Sequence, residues 1–68
     1  MSYWARKRVI KKILEECKNG ATMKQIQRKA MPEGFSQRAI TRIIEEMTGV
    51  KLLERIEENG KSTVWKTI

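Results

Sequence analysis

Leu53-Glu-Arg-Ile-Glu-Glu-Asn-Gly-Lys-Ser-Thr-Val-Trp-Lys66 is the stretch whose reading decides the fold of this chain. Asn59–Gly60 sits between two short runs that carry β-branched and aromatic residues, the strongest local signal for a β-hairpin. Two registers fit. A two-residue turn pairs Arg55 with Val64, whereas a three-residue turn closed by a bulge at Gly60 pairs Leu53 with Trp65. The second is preferred because it sets two apolar residues opposite each other. A competing reading makes 50–58 a helix, since Leu52, Leu53 and Ile56 also suit a 3.6-residue period. It leaves the β-rich tail after Gly60 without a partner strand, so the hairpin is the better assignment.

Working back from the hairpin, three helical segments precede it. Ile40, Ile43, Ile44 and Met47 form an i, i+3, i+4, i+7 stripe. Ser36 is placed to cap this segment, Phe35 to staple against Ile40, and Gly49 to end it. Before it, Thr22 and Gln25 make a capping box that opens a short helix with Met23, Ile26 and Ala30 inward. Pro32 stops that helix near Ala30. The first segment spans 3–19, with Ser2 as its cap, Ile10, Ile13, Leu14 and Cys17 as its apolar stripe, and Gly20 after its last turn.

Composition narrows the function. Sixty-eight residues make one domain, 1–68, with one core, and such a chain buries only about 60% of the surface it exposes when unfolded. Cys17 is the sole cysteine and there is no histidine, so neither a disulfide nor a zinc site can supplement that core. Fifteen Lys and Arg against eight Glu give a net charge of +7, which favours a polyanionic partner. No run reaches the about 18 apolar residues of a membrane span, and no signal-peptide pattern follows the N-terminus. These features point to a reduced intracellular setting, and the Lys, Glu and Ile bias is compatible with a thermophilic source.

Catalysis lacks parts: no base stands ready for a Ser or Cys nucleophile, no glycine-rich phosphate loop occurs, and no cofactor or small-molecule substrate is expected. Glu15–Glu16 and Glu45–Glu46 are helix neighbours that point apart. Cys17 reads as a small buried hydrophobe. Tyr3, Trp4 and Trp65 complete the aromatic inventory, and Trp4 and Trp65 read as core or core-edge packing in preference to base-stacking platforms. Aromatics near a terminus of so small a module also leave a homodimer open as a second partner.

A short capped helix over 22–30, a Pro/Gly turn, a helix opening Phe35-Ser-Gln-Arg-Ala-Ile40, and the ending Gly49-Val-Lys-Leu-Leu-Glu-Arg-Ile56 with Asn59-Gly-Lys and Val64-Trp-Lys-Thr-Ile68 together resemble the winged helix-turn-helix family. The likeness is to small bacterial, archaeal or archaeal-virus transcriptional regulators and covers nearly the whole chain. It implies an α+β fold, mainly α, in which a three-helix bundle with a helix-turn-helix is followed by a C-terminal β-hairpin wing. Met31-Pro-Glu-Gly-Phe35 departs from the tightest helix-turn-helix turns by its length.

The resemblance implies double-stranded DNA as partner, in the cytoplasm and nucleoid-associated, or in the host cytoplasm for a viral protein. A recognition helix presents its N-terminal residues to the major groove. Base contacts are therefore expected from Ser36, Gln37, Arg38, Thr41 and Arg42, whose amide and guanidinium donors suit adenine or guanine edges. Phosphate contacts are expected from Arg6, Lys7, Lys11, Lys24, Arg28 and Lys29, with Lys61 and Ser62 on the wing. Residues 1–12 hold five cations and no acid, whereas the Arg and Glu of 36–49 cancel, so helix 1 should carry most of the excess. An ordinary solvated face, with Arg42 and Glu46 as an i, i+4 pair, is the alternative for helix 3. For the whole chain the alternatives are a protein–protein adaptor or an RNA-binding module. Lying on an anionic membrane would remove helix 1 from the core and is disfavoured.

Overall fold

The computed structural model describes residues 3–68. The proposed cap at Ser2 lies outside them. The chain forms α1 (Tyr3–Glu16), β1 (Ala21–Thr22), α2 (Met23–Ala30), α3 (Gln37–Gly49), β2 (Leu53–Ile56) and β3 (Val64–Thr67). This is a mainly helical α+β arrangement with a C-terminal hairpin, like a winged helix. Short 3-10 turns extend α1 over Cys17–Asn19 and α2 over Met31–Glu33.

The helices close on one apolar core. Ile40, Ile43, Ile44 and Met47 of α3 share one buried cluster with Ile26 and Ala30 of α2, Val9 and Ile13 of α1, and Cys17 in the 3-10 turn that follows it. The α1 stripe is rotated slightly from its expected position: Val9 is fully buried, while Ile10 and Leu14 pack only at the edge. Phe35 and Ile40 are both buried, as a hydrophobic staple requires. No polar or charged side chain is buried among the described residues, so the core itself is wholly apolar.

Local chemistry sets the ends of α2 and the start of α3. Thr22 Oγ1 accepts from the Gln25 amide (3.3 Å) while Gln25 Oε1 accepts from the Thr22 amide (2.9 Å), completing the capping box. Ser36 Oγ accepts from Ala39 N (3.1 Å) at the start of α3. Pro32 falls in the turn after α2, followed by Gly34 in the left-handed region.

Helix α3 ends at Gly49, as read, but its closing turn is not made by that glycine. Gly49 is still helical, and the left-handed residue is Lys51, at φ 65°. Leu52 N donates to Met47 O (2.9 Å) and Lys51 N to Thr48 O (3.1 Å), the paired bonds of a Schellman motif. The glycine that usually occupies such a site lies two residues too early.

The hairpin is present, but neither expected register is. Arg55 faces Trp65 and Ile56 faces Val64, leaving a loop over 57–63. Lys61 N donates to Glu58 O across Asn59–Gly60, with only Gly60 at positive φ. That is type II geometry, whose twist does not suit a two-residue hairpin, so pairing begins farther from the turn. The sheet has a third strand: β1 joins β3 on its other side, in the order β1-β3-β2. Trp65 therefore lies in the central strand, between Ala21 and Arg55, with the Arg55 guanidinium 5.8 Å from its ring centroid.

Candidate nucleic-acid interface

With its isoleucines inward, α3 turns Arg38, Arg42 and Glu45 directly outward, one per turn of the opposite face. Its two flanks are held by different neighbours. On one side Gln27 Nε2 of α2 donates to Thr41 Oγ1 (3.2 Å), and Thr41 Oγ1 also lies 2.9 Å from Gln37 O and 3.8 Å from Met23 Sδ. On the other side Glu46 pairs with Arg6 of α1. Helix α3 is thus held between α2 and α1, and Ser36, Gln37 and Arg38 at its start are exposed.

The predicted base-contact residues do not all share one environment. Ser36, Gln37, Arg38 and Arg42 are exposed, whereas Thr41 is half-buried with its hydroxyl engaged at the α2–α3 joint. Thr41 therefore sits as a positioning group beside the exposed four. The alternative pairing of Arg42 with Glu46 is absent, because Glu46 turns to Arg6. Neither Arg38 nor Arg42 has an ion-pair partner among the described residues. Both line an open groove that runs along α3 to Arg6 and Glu46.

The predicted phosphate contacts also divide. Arg6 is held by Glu46; Arg8 and Lys12, α1 cations outside that set, converge on Glu33 in the turn before α3, at 3.2 and 3.1 Å. These two cations hold the Glu33 carboxyl below its ordinary range, Lys12 through the larger effect. Lys7 lies 5.5 Å from the centroid of Trp4, which is 67% exposed and so is not core packing. Lys11 is exposed on the outer side of α1. On the wing, Lys61 pairs with Glu58 (3.1 Å) and Arg55 with Glu57 (2.7 Å), while Ser62 is exposed.

Lys24, Arg28 and Lys29 of α2 are exposed and without ion-pair partners among the described residues. The charge excess that sequence counting assigns to α1 is thus partly neutralised in three dimensions. Five uncompensated cations lie on α2 and the leading half of α3, and Lys11, Lys18, Lys51 and Lys66 are likewise exposed and without ion-pair partners among the described residues. Sequence could not find this, because the neutralising partners are 25 and 40 residues away.

Cys17 is fully buried, and its thiol pKa is pushed up to about 11, first by burial and then by Glu16. It is a poor nucleophile in this setting. No helix among the described residues is long and apolar enough to cross a membrane. No protein-family model, curated protein or solved structure matches the chain.

Proposed function

We propose that this chain is a double-stranded DNA-binding module, a transcriptional regulator of the winged-helix kind, that inserts the first turns of α3 into the major groove. The observation that carries this reading is the pair Arg38 and Arg42, exposed on the outward face of α3 and free of ion-pair partners, beside an α2 that carries three more such cations. An i, i+4 pair with Glu46 would occupy Arg42 and stabilise the helix by about 0.2–0.5 kcal/mol, while Arg38 has no acid three or four residues away. Here Glu46 is drawn to Arg6, and the guanidinium groups are left to the solvent side.

The roles follow from position. Arg38 and Arg42 suit guanine O6 and N7, and Gln37, at the helix start, suits adenine N6 and N7. Ser36 keeps its cap and can still donate its hydroxyl proton to a phosphate or base edge. Lys24, Arg28 and Lys29 supply phosphate contacts from α2, with Lys11 farther along α1. Arg6 acts chiefly on the frame, because its partner Glu46 fixes α1 against α3. The wing, with Lys61 and Arg55 both matched by glutamates, adds little net attraction.

Arg38→Ala and Arg42→Ala test the reading in a fluorescence anisotropy titration, using duplexes selected from a random library beside an unselected pool. Each should weaken selected sites by about 1–3 kcal/mol, the range of a bidentate base contact, and the random pool by much less. Equal losses on both would reduce these residues to phosphate contacts. Absence of duplex binding at low salt would favour a protein partner, and preference for single strands would favour RNA.

A further inference from the structure

An antiparallel sheet with one face on the core ordinarily turns polar residues to water on the other. The β2–β3 hairpin does not. Leu53 and Trp65 face the core, so alternation puts Glu54 and Ile56, with Val64 and Lys66, on the outer face. One step beyond the ladder, Ile68 N donates to Leu52 O (3.4 Å), which brings Leu52 and Ile68 together on that same face. Leu52 is 47% exposed and Ile68 75%, while Ile56 and Val64 are half-buried. Read across the two strands, the outer face is a ladder of three rungs: Leu52 with Ile68, Glu54 with Lys66, and Ile56 with Val64.

This ladder is complementary to itself. Take a two-fold axis lying between two such faces, parallel to the strands and midway between β2 and β3. It carries each β2 residue over the β3 residue of the same rung in the other copy. Glu54 then lies over Lys66 twice, and both apolar rungs lie over apolar rungs. The other in-plane axis, across the strands, sets Glu54 over Glu54 and Lys66 over Lys66, and is disfavoured by charge. Edge-to-edge pairing of β2 with its copy is disfavoured in the same way. Symmetry and the alternation of the pleat require one residue to face its own copy, and a register centred on the middle of β2 sets Glu54 on Glu54 or Arg55 on Arg55.

We infer that the outer face of the β2–β3 hairpin is a self-association surface, and that a second copy of this chain packs on it face to face with aligned strands. Stacked sheets of this kind lie about 10 Å apart, which the side chains of the three rungs span. The face is small against a standard interface, so the dimer is weak and concentration-dependent. Self-association through this face needs no nucleic acid and is separate from the reading of α3.

Sedimentation equilibrium of the full chain without DNA tests it. The mass should rise from 8.0 kDa toward twice that value between about 10 µM and 1 mM, the range of a weak interface. Glu54→Lys alone and Lys66→Glu alone should each stay at the monomer mass at 1 mM. An equimolar mixture of the two variants should recover the dimer, because an all-basic face then meets an all-acidic one. Circular dichroism of each variant checks that it is folded, and the mixture corrects for any loss within the hairpin, since both partners carry it unchanged. The double exchange Glu54→Lys with Lys66→Glu should dimerise like the parent. A parent chain monomeric at 1 mM, dimers that survive either single exchange, or a mixture that stays monomeric would each overturn the inference.

Discussion

Lys51 and Gly49 divide between them a task that one glycine usually performs. Lys51 holds a left-handed φ of 65°, which costs a side-chain-bearing residue about 1 kcal/mol, while Gly49 sits in helical backbone with open space where a Cβ would go. Lys51→Gly and Gly49→Ala should therefore each stabilise the fold, by about 0.5–1 kcal/mol. In a domain of this size that raises Tm by several degrees, on the order of 4–8 °C per kcal/mol. Thermal unfolding by circular dichroism reads the change, and a fall in Tm for either variant would contradict the assigned end of α3. Gly20 is the opposite case. Its φ is 93°, and an added Cβ would lie 2.9 Å from Val64 Cγ1, so Gly20→Ala should destabilise by more than about 1 kcal/mol.

Cys17 makes a second residue-scale prediction. Its folded pKa of about 11 exceeds its ordinary 9.0. A raised value means that the stability linked to this thiol is full below pH 9 and is lost as pH climbs through the folded value. Cys17→Ala should flatten the alkaline limb of the stability curve between about pH 9 and 11, measured by urea midpoints against the parent. The native thiol should also resist an aromatic disulfide reagent that reacts at once in denaturant. Rapid labelling of the folded chain would show that Cys17 is not buried as described.

At the scale of elements, ion pairs and caps fix how the helices meet. Glu33, in the turn between α2 and α3, ties that turn to α1 through Lys12 and Arg8. Its pKa is lowered, so its contribution is full above the ordinary carboxylate range and is lost as pH falls through the lowered folded value. Glu33→Gln should consequently make acid unfolding less steep than in the parent, when urea midpoints are compared from neutral to acid pH. Thr22→Ala removes the capping box that starts α2 and should cost about 1 kcal/mol.

Much of this level was legible in the sequence, for physical reasons that can be named. The α3 stripe is strictly periodic and four of its members are branched or long apolar residues, so burial follows directly. Thr22–Gln25 and Ser36 act through bonds spanning three residues, which local sequence encodes. What was hidden is either non-local or too short to have a period. Strand β1 is two residues long, and the partners of Arg6 and Arg8 come from distant segments. The register departs from both expected pairings because Asn59–Gly60, which carries the local signal of a hairpin turn, is one corner of a longer loop. Thr41, expected among the base contacts, is instead engaged by Gln27 of another helix, which the sequence of α3 alone does not reveal.

For the whole molecule, the distribution of charge matters more than its total. Seven net positive charges are shared among a partly neutralised α1, a hairpin in which Arg55 and Lys61 are matched and Lys66 is not, and an α2–α3 edge whose cations have no ion-pair partner among the described residues. The proposed DNA-binding edge of this 38 × 21 × 18 Å body is formed by Arg38 and Arg42 together with the α2 cations. Affinity and sequence choice should separate along that division, with α2 supplying the first and α3 the second.

The most direct measurement is the salt dependence of duplex binding by the parent chain and by a variant with Lys24, Arg28 and Lys29 replaced by Ala. Each phosphate contact contributes about −0.9 to the slope of log K against log salt, so the triple variant should lose roughly 2–3 units of slope while keeping its preferred sequence. Arg6→Ala should leave the slope nearly unchanged. A slope that stays the same in the α2 variant, or falls only when α1 is altered, would contradict a DNA edge built from α2 and α3.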